Sequence, residues 1–264
     1  MKNYSLYKLL NKNSVKSLFD IFKNEKREVC LVGGCIRDAL LGIDAKDIDV
    51  AVNIVPDKVI SILKNNKIHF EDFAFKYGSI TAVIKNQKFQ ITTLREDINQ
   101  IGRHTNIIYT EDWRKDAQRR DFTVNAMYLS SDGNLIDYFN GQRDLDENKL
   151  QFIDNIEDRL KEDYLRIFRY YRFLGIFEKP QIINGYEEIL TKYCKNSFSY
   201  LSNHLLRQEI LKMFNTSYPL NPFFNIMEDK KKRYWVELTK NHFIDTKYDL
   251  GLNRCLNKID LLMN

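Results

Sequence analysis

Short apolar runs broken by turn residues predict strands and brief helices up to about residue 147, and helical spacing dominates afterwards. Val15, Leu18, Phe19 and Phe22 place one apolar face on a helix near the N-terminus. Val29 to Val32 form a short strand that ends at Gly33-Gly34, and a helix from about Cys35 stops at Gly42. From Asp47 to Val52 polar and apolar residues alternate, which predicts a strand. Ile48, Val50 and Val52 take its buried face, and Asp47 and Asp49 take the other, roughly 7 Å apart. Pro56 opens a helix to about Asn65. Strands follow at about Gly78–Ile84 and Lys88–Thr93, with a turn through Asn86-Gln87. Arg95 to His104 reads as a polar surface loop. Leu135 to Phe139 is a last short strand, and Asn140-Gly141 reads as a hinge, since asparagine tolerates left-handed backbone. Arg159 to Phe173 then reads as one helix, with Leu160, Tyr164, Ile167, Phe168, Tyr171 and Leu174 on one arc. Further helices are expected around Gly185–Glu188, Leu201–Ile210 and Leu211–Phe214.

Composition narrows the class without choosing a function. Among 264 residues, 44% are hydrophobic and 29% charged, which is ordinary for a globular protein. A net charge of +5 suits a polyanionic partner such as RNA. Cys30, Cys35, Cys194 and Cys255 are scattered without a paired Cys-x-x-Cys, which argues against zinc and for reduced, cytoplasmic thiols. Lys8, Asn11 and Lys12 break the N-terminal apolar runs, so no secretory signal is expected there. No apolar stretch is long enough to span a membrane as a helix.

The chemistry gathers at the first glycine turn. Gly33 and Gly34 permit positive φ and close approach of backbone to a ligand. The start of the following helix suits a phosphate, and Arg37 adds a cation one turn in. Asp47 and Asp49 on one strand face suit a divalent cation shared with a triphosphate. Later, Arg119-Arg120-Asp121-Phe122-Thr123-Val124-Asn125-Ala126 carries a second polar cluster. Arg120 can bridge phosphate oxygens with its planar fork. Asp121 can accept from a ribose hydroxyl or hold Arg120, and Asn125 can orient a sugar or phosphate or cap a turn. On the predicted helix, Asp163 and Arg166 lie one turn apart and can act as a pair. A carboxylate beside a guanidinium satisfies the amine and ring nitrogen of cytosine or adenine and leaves uracil and guanine mismatched. Steps of three residues drift around a helix, so Asp163, Arg166, Arg169 and Arg172 cannot all face one small ligand.

Gly33-Gly34-x-x-Arg37-Asp38-x-Leu40-Leu41-Gly42 followed by Asp47-x-Asp49 resembles the head signature of class II tRNA nucleotidyltransferases and bacterial poly(A) polymerases, in the polymerase-β-like superfamily. The Arg119 to Ala126 segment and Glu162-Asp163-x-x-Arg166-x-x-Arg169-x-x-Arg172-Phe173 resemble the family's later motifs. The resemblance covers about residues 29–177. It implies an α+β fold: a mixed-sheet nucleotidyltransferase head over residues 1–147, then an all-helical neck and short body over 148–264. It implies template-independent addition of CMP and AMP from CTP and ATP to the 3′ end of tRNA, in the cytoplasm. Asp47 and Asp49 would be the catalytic metal ligands for two Mg2+ ions. Gly33, Gly34, Arg37, Arg120, Asp121, Asp163, Arg166, Arg169 and Arg172 would bind nucleotide, with Asp163 and Arg166 reading the base. The Arg95–His104 segment resembles the loop that helps CCA-adding members change from CTP to ATP. Gln90 stands where the family commonly has glutamate, and Asn203 to Glu209 matches a later family segment only loosely. A poly(A) polymerase, a CC- or A-adding enzyme, and a catalytically silent RNA-binding protein are the alternatives.

Overall fold

The computed structural model describes residues 2–45, 47–101, 104–219 and 221–224. Two helices open the chain, α1 (Lys2–Leu10) and α2 (Asn13–Asn24), and α2 buries Val15, Leu18, Phe19 and Phe22, as their spacing predicts. Burying four such side chains contributes roughly 1.5–3 kcal/mol each. Strand β1 (Val29–Val32), helix α3 (Gly34–Leu40), strand β2 (Ile48–Val52) and helix α4 (Pro56–Asn65) follow. Strands β3 (His69–Glu71), β4 (Ser79–Ile84) and β5 (Gln87–Thr93) complete one half of the sheet. The β4–β5 turn centres on Lys85 and Asn86, both at positive φ, one residue earlier than expected. That is the backbone of a two-residue hairpin turn.

Strands β6 (Arg95–Ile101) and β7 (His104–Tyr109) pair with each other in a separate two-stranded ribbon. This corrects the reading of Arg95–His104 as a loop; Gly102 and Arg103 lie outside the described residues. Cross-strand pairing decides such polar strands, and local periodicity does not reveal it. Helix α5 (Trp113–Gln118), a 3₁₀ turn (Thr123–Asn125), strands β8 (Met127–Ser130) and β9 (Leu135–Asp137) and helix α6 (Gly141–Asp146) finish this part. The main sheet runs β3-β4-β5-β2-β1-β8-β9. Its one parallel pair is β2 with β5, and the other neighbours are antiparallel. All four residues of β1 are buried, which is what a central strand covered on both faces requires.

The chain divides into two units, one through Glu147 together with Gln151–Asp154, the other Asn148–Leu150 with the described residues from Asn155. The second unit is helical: α7 (Ile156–Glu162), α8 (Leu165–Leu174), α9 (Tyr186–Tyr200), α10 (Asn203–Phe214) and the short α11 (Asn221–Phe224). Helix α10 packs against α8 and holds the two expected segments 201–210 and 211–214 in one piece. Asn140 does adopt left-handed backbone, with φ 60°, but the hinge expected there is firmly part of the first unit. The Asp137 carboxylate accepts from the Gly141 and Gln142 N–H groups, both at 2.9 Å. A Cβ on Gly141 would stand 2.2 Å from the Thr123 carbonyl oxygen, so α6 starts hard against the 3₁₀ turn. No helix among the described residues is long and apolar enough to cross a membrane.

Candidate active site

Strand β1 delivers the glycine turn. Gly33 has φ 74° and ψ −126°, a conformation open essentially to glycine alone. Its N–H donates to Met127 O at 3.0 Å. A Cβ here would meet Asn125 O at 3.3 Å and Arg120 Nη1 at 3.4 Å. The glycine is therefore demanded twice, by backbone angle and by crowding. The same crowding brings the Arg120–Asn125 segment to the turn, although the two lie far apart in sequence.

The carboxylates sit at the start of the neighbouring strand. Asp47 is exposed in the bend just before β2, and Asp49 is the strand's second residue. Asp49 pairs with Val32, the residue before the glycine turn, on one side and with Gln90 on the other. Burial pushes the Asp49 carboxyl above its ordinary value; Arg120 opposes that, the Asp47 charge adds to it, and Arg37 opposes it. Two nearby carboxylates, one half-buried and raised by the other, form a donor pair that a cation would relieve. Among the described residues no group of three or more His, Cys, Asp or Glu gathers to hold a metal. The pair suits Mg2+, which takes one or two protein carboxylates and fills its shell with phosphate and water. Gln90, exposed beside Asp49, brings no charge and donates to Ser79 Oγ at 3.2 Å.

Arg37 lies at the glycine turn, its Nη2 3.5 Å from the point that a Cβ on Gly34 would occupy. Its Nε and Nη2 donate to Asp38 Oδ1 at 2.9 and 2.7 Å, and Nη1 donates to Asn125 Oδ1 at 2.6 Å. Asn125 Nδ2 in turn donates to Asp121 Oδ1 at 3.2 Å, which also accepts from the Phe122 N–H. Arg37 is thus a buried link between α3 and the 3₁₀ turn, and Arg120 is the guanidinium beside Gly33. Asp121 and Asn125 brace each other below that turn.

A further residue was not singled out by its sequence. Asp116 is 1% exposed and anchors both Arg119 and Arg120. It also accepts from Tyr128 Oη at 2.7 Å. Burial alone would raise its carboxyl, but Arg119, Arg120 and the Tyr128 hydroxyl hold it far below the carboxylate range. The available signal was the spacing: Asp116 precedes the two arginines by three and four residues on a helix end.

In the second unit the expected single helix breaks at Asp163, which has φ −152° and ψ 105°. The break changes the pairing. Asp163 Oδ1 accepts from the Leu165 N–H at 2.9 Å and so caps the first turn of α8. Arg166, 6% exposed, donates to the Glu162 carboxylate and to Arg159 O at 2.7 Å. Arg159 reaches the same Glu162 oxygen at 2.6 Å. The Asp163–Arg166 side-chain pair expected from a continuous helix is therefore replaced by Glu162–Arg166, because an extended residue removes Asp163 from the helical face. Arg172 lies 4.1 Å from the Phe173 ring centroid and 2.9 Å from Glu209 of α10; Arg169 flanks the same ring at 5.8 Å. The loosely matched Asn203–Glu209 segment thus supplies a buried counter-charge.

The glycine turn, Asp47 in the bend before β2 and Asp49 on β2 meet at the middle of the mixed sheet. Residues 29–151 match the family described as the Poly A polymerase head domain. The mitochondrial CCA tRNA nucleotidyltransferase 1 of Mus musculus is 40% identical over 247 residues, 90% of this chain and 50% of the relative. A CCA-adding enzyme of Lactobacillus johnsonii is 31% identical over 194 residues, 70% of this chain and 46% of that protein. Among solved structures, a CCA-adding enzyme of Thermotoga maritima complexed with tRNA aligns with TM-score 0.66 and 26% identity, over 93% of this chain and 57% of that one. The chain is similar to CCA-adding nucleotidyltransferases, and its residues 29–151 carry the Poly A polymerase head domain. It spans about half the length of the curated relatives it matches.

Proposed function

We propose that this chain adds CMP and AMP, from CTP and ATP, to the 3′ end of tRNA without a nucleic-acid template. The observation that carries this is the placement of Asp49 between the glycine turn at Val32-Gly33 and Gln90, with Arg120 at the turn. Asp47 and Asp49 would hold Mg2+, two ions in the full mechanism, and Gln90 adds no third carboxylate. Bound there, the metal would favour the ionised primer hydroxyl and neutralise charge on the departing pyrophosphate. Arg120 meets phosphate oxygens, and the turn's backbone lets the triphosphate approach. Asp121 and Asn125 orient the sugar side. The primer's 3′ oxygen attacks the α-phosphorus as the bond to pyrophosphate breaks.

Base choice belongs to the second unit in this reading. The Asp163 carboxylate accepts from the exocyclic amine shared by cytosine and adenine. Arg166, held by Glu162 and the Arg159 carbonyl, donates to the ring nitrogen. Arg169 and Arg172 stand nearby to support that pair. A cytoplasmic location completes the proposal, supported by the unpaired buried thiols; because the mouse relative is mitochondrial, fractionation of a tagged chain tests it.

The deciding experiment uses purified chain, Mg2+ and tRNA transcripts ending before the tail, after C and after CC. One finished CCA end from every start, then arrest, is the expected result. Long adenosine tracts would mean poly(A) synthesis, and partial products would mean CC- or A-adding. Binding without extension would leave an RNA-binding protein.

A further inference from the structure

The two oxygens of Asp116 are divided between different neighbours. Oδ1 accepts from Arg119 Nε at 2.9 Å and from the Arg95 N–H at 3.2 Å, at the base of the β6–β7 ribbon. Oδ2 accepts from Arg120 Nη2 at 3.1 Å and from Tyr128 Oη at 2.7 Å. The Tyr128 ring centroid lies 5.5 Å from the Arg120 guanidinium carbon. With Nη2 tied down and a ring alongside, the opposite edge of the fork, Nη1, is turned to Gly33. A long arginine side chain has many rotamers, and fixing it in advance removes an ordering cost from ligand binding.

We propose that Asp116 is a positioning residue, which holds Arg120 against the glycine turn so that a nucleoside triphosphate meets a pre-set guanidinium. This rests on the nucleotidyltransferase reading above. Asp116 touches no substrate in it; its effect passes entirely through Arg120. The pairing also ties the ribbon base and the triphosphate-binding arginine to one carboxylate. A purely structural Asp116 would lower stability without changing how Arg120 binds phosphate, and this difference can be measured.

The test is a double-mutant cycle read by equilibrium binding of CTP, and separately of a non-hydrolysable ATP analogue, to the full chain with Mg2+. Asp116→Asn keeps the shape and removes the charge. It should weaken triphosphate binding by about tenfold, while the same change in an Arg120→Ala background should cost less than about twofold. Equal losses in both backgrounds, or no loss in the first, would overturn the proposal. Should Asp116→Asn fail to fold, Tyr128→Phe serves instead. It removes one donor to Oδ2 and keeps the ring, and it should weaken binding about threefold only where Arg120 is present. Equal effects in both backgrounds would again overturn it. The two readings fail separately. Wild-type chain that binds triphosphate but transfers nothing to tRNA sinks the proposed function and leaves the cycle intact. Full transfer activity with an additive cycle sinks the role of Asp116 alone.

Discussion

Arg120 closes on Gly33: its Nη1 stands 3.4 Å from the point that a Cβ on Gly33 would occupy. A cation and a bare backbone meet there, and the positive φ with the Asn125 carbonyl oxygen, 3.3 Å from the same point, is what opposes a side chain. Gly33→Ala must accept φ 74° and press on the Asn125 carbonyl oxygen, 3.3 Å from the new Cβ and next to Arg120. It should cost about 1–3 kcal/mol of stability and weaken triphosphate binding as well. Thermal melts with and without CTP check both effects. A normal melt with normal CTP-dependent stabilisation would show that the turn is not crowded as described.

Asp49→Asn separates chemistry from stability. Nucleotide incorporation should fall on the order of 100-fold or more. The melt should stay level or rise, because burial and the Asp47 charge disfavour the ionised form of Asp49 in the folded protein. Mg2+ should raise the melting temperature of the wild type and leave that of the variant unchanged. Retained turnover in the variant would remove Asp49 from the metal site.

Two substitutions at Asp163 distinguish capping from base reading. Asp163→Ala loses the bond to the Leu165 N–H and should cost about 1 kcal/mol. Asp163→Asn keeps an acceptor oxygen for the cap and should melt near wild type. Both should lose discrimination against UTP and GTP in incorporation assays. If selectivity survives in both, Asp163 is a helix cap and nothing more.

Glu162 is the partner that orients Arg166 and Arg159. Glu162→Ala leaves two buried guanidinium groups short of an acceptor and should cost about 1–3 kcal/mol. It should also disturb base selection, since Arg166 then loses one of the contacts that orient it. Urea unfolding alongside single-nucleotide incorporation measures both. An unchanged midpoint would show that the pairing contributes no stability.

Burial pushes the thiols of Cys30 and Cys35 up to about 12. In a Cys255→Ser background at pH 8, Ellman's reagent should modify half-buried Cys194 first and leave Cys30 and Cys35 until unfolding. In the unfolded chain these thiols ionise near their ordinary value of 9.0, below the folded value. The unfolded state then binds fewer protons, so stability falls as pH rises from about 9 toward 12. Rapid modification of the native protein would contradict this burial.

Elements whose cause is local were determined by the sequence alone. The spacing of Val15, Leu18, Phe19 and Phe22 specified α2, Pro56 opened α4, and alternation marked Ile48 and Val50 as buried around Asp49. The glycine turn and the left-handed Asn140 were legible for the same reason: each depends on the φ range of its own residue. Tertiary structure decided everything that needed a distant partner. Asn125 takes up Arg37 across 88 residues, and the pairing of Arg95 with Tyr109 turns a polar stretch into a ribbon. Asp116 gains its importance only where Arg119, Arg120, Tyr128 and Arg95 converge. At Asp163, helical spacing gave way because its carboxylate caps the next helix, leaving Glu162 to meet Arg166. A single periodicity cannot express that choice: it reports which face of one helix is apolar, whereas side-chain pairing depends on where that helix stops.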